Sequence, residues 1–207
     1  MNEIVVVIDQ KSSRARSTVP IQRLLESLDS DRRLEVRWER TMGDELQALL
    51  EQPRALPFVI EAGIRHDAWI GIGIGQVEER GRSVLESTGS AFLHARQAVE
   101  AAKKVPWGCT ATGVNEWCSI LDQSLALYGT LLRQRTPEGW EVVERRDNSR
   151  SAIEVAKSLD VTPQAVTKRL RAAQYRAALK GRDLIAALAS VAVLESELRT
   201  IDRPVPR

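Results

Sequence analysis

The sequence predicts an α+β fold in which a ferredoxin-like first half precedes an all-α second half built on a helix-turn-helix. Three observations predict it. Patterning over the first hundred residues gives the order β-α-β-β-α-β-α, the split βαβ arrangement. Helix caps crowd the chain after Thr136. Charge is uneven, with net −2 over residues 1–139 and +4 over the rest. The chain has 207 residues, 43% apolar and 28% charged, an ordinary globular balance that fits one large domain or two small ones.

Each element has its local reason. Ile4 to Ile8 is a continuous β-branched run, the mark of a strand buried on both faces. Ile21, Leu24, Leu25 and Leu28 recur at helical spacing, with Thr18 as cap and Pro20 in the first turn. Leu34, Val36 and Trp38 alternate with charged residues as in a half-buried strand. Met42-Gly43-Asp44-Glu45 reads as a tight turn and Leu46 to Leu50 as the returning strand. Leu56, Val59, Ile60 and Ile64 mark a second helix from about Pro57. Trp69 to Val77 is a strand with Ile70, Ile72 and Ile74 between three glycines. Ala91, Ala95, Ala98 and Ala102 line a third helix from Gly89 to Lys104. Right-handed crossover makes the first two strands parallel, with the third between them.

Several classes are excluded. The longest apolar stretch, Leu184 to Leu194, has eleven residues and contains Ser190, too short to span a bilayer. Glu3 and a five-residue apolar run do not make a signal peptide. Two cysteines and two histidines offer neither a disulfide framework nor a zinc pattern. A cytoplasmic location with no membrane partner is expected.

The topology brings Asp9, at the end of strand one, to the same sheet edge as Asp44, in the hairpin turn. Two carboxylates beside a glycine turn can hold Mg²⁺ or Mn²⁺ and the phosphates it carries. Ser13 and Arg14 follow the first strand and suit phosphate contacts, with Gly43 in the turn. The alternate Gly71, Gly73 and Gly75 lack the Gly-x-Gly-x-x-Gly spacing of a dinucleotide site. They let a helix or a ligand approach the strand closely.

These segments carry a resemblance. Ile8-Asp9 with Ser13-Arg14, Thr41 to Gln47, Gly71 to Gly75, and Gly89-Ser90-Ala91-Phe92 with Ala95-Arg96 resemble the SatD family. More remotely they are similar to the palm of class III nucleotidyl cyclases and GGDEF-type diguanylate cyclases. In those enzymes one Asp after the first strand and one in the hairpin bind two metal ions, which activate a 3′-hydroxyl for attack on the α-phosphate. The resemblance implies those roles for Asp9 and Asp44, with Glu45 as an extra ligand. It departs at Leu93, where the cyclase helix supplies an Asn, and at Arg96, one place from the cyclase Arg. Binding of a metal-nucleotide is therefore favoured over turnover.

Residues 105–113 read as a connector. Val114, Trp117, Cys118, Leu121, Leu125, Tyr128, Leu131 and Leu132 then share a stripe of a long linking helix, whose apolar face serves either a dimer or its own domain. Thr136-Pro137-Glu138 opens a short helix carrying Trp140 and Val143. Ser151 to Glu154 is a capping box, with Ile153, Ala156 and Leu159 as the inner face of its helix. Thr162-Pro163 opens the next helix, lined inside by Val166, Leu170 and Ala173. Glu154 to Arg171 resembles the helix-turn-helix of sigma-factor region 4 and of many bacterial regulators.

In that motif the last helix enters the major groove of double-stranded DNA. Thr162, Gln164, Ala165, Lys168 and Arg169 are its expected base-facing positions, while Arg150, Arg171 and Arg176 are placed for phosphates. From Thr162 to Arg182 there are six basic residues and no acid. Leu184, Ile185, Leu188, Val191, Ala192, Leu194 and Leu198 then form an apolar last helix, suited to dimerisation or to covering the helix-turn-helix. The expected division is a ferredoxin-like domain over 1–105, a connector and linking helix over 106–135, and a DNA-binding domain over 136–207. The expected function is a homodimeric transcriptional regulator whose first domain senses a metal-bound nucleotide. The alternative is a nucleotidyl cyclase, or related two-metal phosphotransferase, with a regulatory DNA-binding tail.

Overall fold

The computed structural model describes residues 2–11, 19–31, 33, 34, 36, 38–41, 44–79, 81, 83–149 and 151–201. It is a mixed α+β fold on one five-stranded sheet. The strands are β1 (Asn2–Gln10), β2 (Trp38–Arg40), β3 (Glu45–Leu50), β4 (Ala68–Gln76) and β5 (Cys109–Thr112). The helices are α1 (Val19–Ser30), α2 (Leu56–Arg65), α3 (Ser90–Ala102), α4 (Glu116–Arg133), α5 (Pro137–Asp147), α6 (Ala152–Ser158), α7 (Pro163–Ala172) and α8 (Tyr175–Ile201).

The strand order is β2-β3-β1-β4-β5. β3 lies between β1 and β2 and is antiparallel to both, so those two run parallel, as the crossover rule requires. β4 is antiparallel to β1 on its other side. β5 corrects the reading of residues 105–113 as a plain connector. It pairs parallel to β4 through Ile70–Cys109 to Gly73–Thr112, after the crossover through α3. Four residues flanked by Pro106, Gly108 and Gly113 carry too weak a strand signal to be seen locally. β2 is only three residues long and begins at Trp38.

The β1 run fills both faces, as its continuous apolar character demands. Ile4, Val6 and Ile8 join the large core beneath α1, α2, α4 and α8, while Val5 and Val7 meet α3 on the opposite face. The three β4 glycines seat α3. A Cβ on Gly73 would lie 2.1 Å from the Ala91 carbonyl oxygen, and one on Gly71 would lie 2.2 Å from the Val99 nitrogen. The close approach is therefore by a helix, with Ala91 and Ala95 offering their small side to the strand.

The last helix of the second half shares the core of the first. Ile185, Leu188, Ala189 and Ala192 of α8 belong to the same buried cluster as Ile4 and Ile70. The apolar stripe expected on this helix is thus split. One side packs on the sheet layer, while Leu184, Val191, Leu194 and Leu198 stay exposed. On α4, Cys118, Leu121, Leu125, Tyr128 and Leu132 are buried within the chain, the second of the two expected uses of this face, whereas Trp117, and Val114 just before the helix, are exposed.

Candidate nucleic-acid interface

Helices α5, α6 and α7 form a small bundle around Val142, Val155, Ala156 and Val166. Each starts on a hydroxyl cap. Thr136 accepts from the Gly139 amide, Ser151 from Glu154 and Thr162 from Ala165, at 3.2, 3.3 and 3.2 Å. Each cap satisfies an amide that the first turn cannot. Between α6 and α7, Asp160 takes φ 49°, the left-handed geometry that a short polar side chain tolerates. The Val161 amide then donates to the Ala156 carbonyl at 3.0 Å, fixing the turn. Ile153 is 59% exposed, and Val155, two places on, takes its inner position beside the buried Ala156.

The orientation of α7 decides which side chains can meet a partner. Val166 is fully buried, so positions near 180° from it face outward at about 100° per residue. Gln164, Lys168 and Arg171 occupy them, and all three are exposed. Ala165 and Arg169 are half-buried on the side toward α5. There the Arg169 charge, after backbone and Thr136 hydrogen bonds, helps hold the Glu138 carboxyl below its usual value. Arg171, expected beside the groove wall, therefore stands on the outer face, and Arg169, expected to face bases, does not. Thr162 is exposed, but its hydroxyl is occupied as the cap. Arg176 is exposed, and with Arg146, Arg171, Leu170 and Tyr175 it lines a groove of about 680 Å³ beside the outer face. Arg150 lies outside the described residues.

A buried ion network holds this bundle to the sheet layer. The Arg182 guanidinium donates through Nε and Nη2 to the two Glu61 carboxylate oxygens at 2.8 and 2.7 Å, and through Nη2 to Asp147 at 2.6 Å. Glu61 lies on α2 and Asp147 on α5. Burial alone would lower the Arg182 pKa, but these hydrogen bonds outweigh it and raise it. Tyr128 donates to Glu61, Tyr175 donates to Asp147 at 2.9 Å, and Arg33 pairs with Asp147 at 3.3 Å. Burial and then the Glu61 charge raise the Tyr128 phenol. Arg182 had the look of one more basic residue in an acid-free run. Its two acids lie 121 and 35 positions away, and no local pattern announces them.

The expected acid site has a different composition. Asp9 stands directly opposite Glu45 in the β1–β3 ladder, so these two share a face. Asp9 pairs with Lys103 at 2.7 Å and Glu45 with Arg96 at 2.6 Å, the cations coming from the residue after α3 and from the middle of α3. Asp44 instead faces Arg40 at 3.5 Å. Burial would lower the Lys103 ammonium, but its bonds to Asp9 and Glu100 raise it. The strand period of two explains the exchange of partners: a residue one place from Glu45 turns to the other face. Among the described residues no group of three His, Cys, Asp or Glu side chains is placed to hold a metal ion. Ser13, Arg14 and Gly43 lie outside the described residues.

No family model and no curated protein matches this sequence. Among solved structures, the regulator of polyketide synthase expression from Bifidobacterium adolescentis aligns over 98% of this chain and 87% of its own, at 16% identity and a TM-score of 0.25. No helix among the described residues is long and apolar enough to cross a membrane.

Proposed function

We propose that this chain is a DNA-binding transcriptional regulator of the SatD type, in which a ferredoxin-like, cyclase-similar first half carries a helix-turn-helix. The observation that supports it is the outer face of α7. Gln164, Lys168 and Arg171 stand at i, i+4 and i+7 on an exposed, acid-free helix that follows a capped helix and a left-handed turn. Gln pairs with adenine, and Lys or Arg with guanine, through the major groove. The arginines lining the adjoining groove suit phosphate contacts. Dimeric binding to two half-sites follows from the usual geometry of this motif.

The test is fluorescence anisotropy with duplexes that the protein selects from genomic fragments, titrated over salt. The expected result is sequence-preferring binding whose affinity falls steeply with salt, as counterion release requires. Equal affinity for all duplexes, or none, would refute the reading. It does not rest on the acid edge. A metal binding there must displace Lys103 and Arg96 from Asp9 and Glu45. Melting the parent and Asp9→Asn proteins with Mg²⁺ and nucleoside triphosphates measures whether one does.

A further inference from the structure

The exposed apolar residues are not scattered. On α4, Trp117, Ile120, Ser124, Leu127 and Leu131 recur at spacings of three and four, all exposed or half-buried, with Leu127 at 77%. On α8, Leu184, Ala187, Val191, Leu194 and Leu198 repeat the same spacing, with Leu194 at 57%. This is the a/d pattern of a helix that packs against other helices.

The two stripes form one surface. Asn115, the cap of α4, donates to the Ala192 carbonyl and to the Ser196 hydroxyl, at 2.7 and 2.6 Å. A Cβ on Gly181 would meet the Tyr128 ring. The start of α4 thus lies beside the second half of α8, and Tyr128 beside its first turns, so the helices run antiparallel. On α4 the Trp117 stripe lies next to Tyr128, around the helix from the strand-facing Cys118 and Leu125. On α8 the Leu184 stripe lies on the Gly181 side, away from Arg182, which faces α2. Both stripes therefore border the same outer side of the α4–α8 pair.

Short of its Leu198 end, which Glu195 and Glu197 flank, this surface is also poor in charge in a chain that is 28% charged. Leu184 to Leu194 carries no charged residue, and from Trp117 to Leu132 the only one is Asp122, which accepts from the Ala111 amide. Depletion of charge is what distinguishes the centre of an interface. The large side chains of the two stripes leave roughly 600 Å² uncovered, the upper end for the largest patch on a monomer and most of the ~800 Å² each partner gives to a stable interface.

We infer that this face pairs with the same face of a second copy of the chain, in a two-fold four-helix layer. An antiparallel pair with matching seams on both members is self-complementary, as a two-fold interface requires. This supplies the surface for the dimer in the regulatory reading, and its test measures mass without DNA, so the two stand or fall separately. Sedimentation velocity of the full chain over about a hundredfold range of concentration should show a species of two chains. Leu127→Glu/Leu194→Glu should weaken association at least about 100-fold and leave the helical signal intact, because both residues are exposed. Leu93→Glu, equally exposed on α3 across the sheet, should leave association unchanged. If the double glutamate chain melts early, Leu184→Ser/Leu194→Ser carries the same expectation without added charge. A parent that stays monomeric at every concentration overturns the inference, and so does a dimer that neither pair of substitutions weakens.

Discussion

Arg169 and Arg171 differ by two positions and by most of a half-turn, and in the regulatory reading proposed above that rotation separates their roles. Arg171 shares the outer face of α7 with Lys168, whereas Arg169 turns toward α5. Lys168→Ala or Arg171→Ala should cost about 1–3 kcal/mol on the selected duplex. Arg169→Ala should leave base preference unchanged, and anisotropy against single-base variants of the site measures all three. A greater loss for Arg169→Ala would reverse the assignment. At the junction, Arg182 is the residue whose loss is felt most. Its side chain is 10% exposed and those of Glu61 and Asp147 are 9% and 11% exposed. Arg182→Met takes the shared guanidinium from two buried acids, leaving Glu61 with Tyr128 and Asp147 with Arg33 and Tyr175, and should destabilise by about 3–5 kcal/mol in urea unfolding. The double variant Arg182→Met/Glu61→Met should recover part of that loss, because it removes the acid that Arg182 bonds through both carboxylate oxygens, while Asp147 keeps Arg33 and Tyr175.

The element that most constrains the fold is β4, whose glycines let α3 sit against bare backbone. Gly73→Ala places a methyl 2.1 Å from a carbonyl oxygen and 2.2 Å from the Ala95 nitrogen, neither of which can rotate away. Overpacking of this kind costs about 1–3 kcal/mol or more, read as a lower melting temperature. The Gly63→Ala contact is with the Ile70 side-chain tip at 2.6 Å, which can turn, so its cost should be smaller. An equal loss at both positions would show that backbone proximity is not the cause. β5 depends on the same seat: the Thr110 hydroxyl donates to the Ala98 carbonyl of α3 at 2.6 Å.

Across the whole molecule, α4 and α8 tie the sheet to the helix-turn-helix and bury two groups that titrate in alkali. Burial pushes the Cys109 thiol from 9.0 to about 12, and raises the Tyr128 phenol above 10.0. Both folded values lie above the unfolded ones, so the folded state keeps its protons longer. The linked stability is complete below pH 9 and declines as pH rises toward 12, by up to about 1.4 kcal/mol per pH unit for each group. Unfolding midpoints measured between pH 8 and 11 should fall, and Cys109→Ala should flatten the fall between pH 9 and 10. Both cysteines are buried thiols, so neither should react with a thiol reagent until the chain unfolds.

By itself the sequence determined what is written locally. The β-branched run of β1, the helical spacing of Leu24 and Leu28, and the three hydroxyl caps before α5, α6 and α7 are signals of neighbouring residues, and each falls in its element. Asp160 in the turn is legible for the same reason. Tertiary structure alone decided which face each helix buries and which distant charge meets which. It placed Glu45 rather than Asp44 beside Asp9, because strand register sets the facing residue. It took Arg182 out of the basic run and paired it with Glu61, across 121 positions. It made a strand of Cys109–Thr112, because β4 offered a free edge after the α3 crossover. Such choices are set by packing and by the cost of leaving a buried charge or a strand edge unpaired, and those costs arise only when remote segments meet.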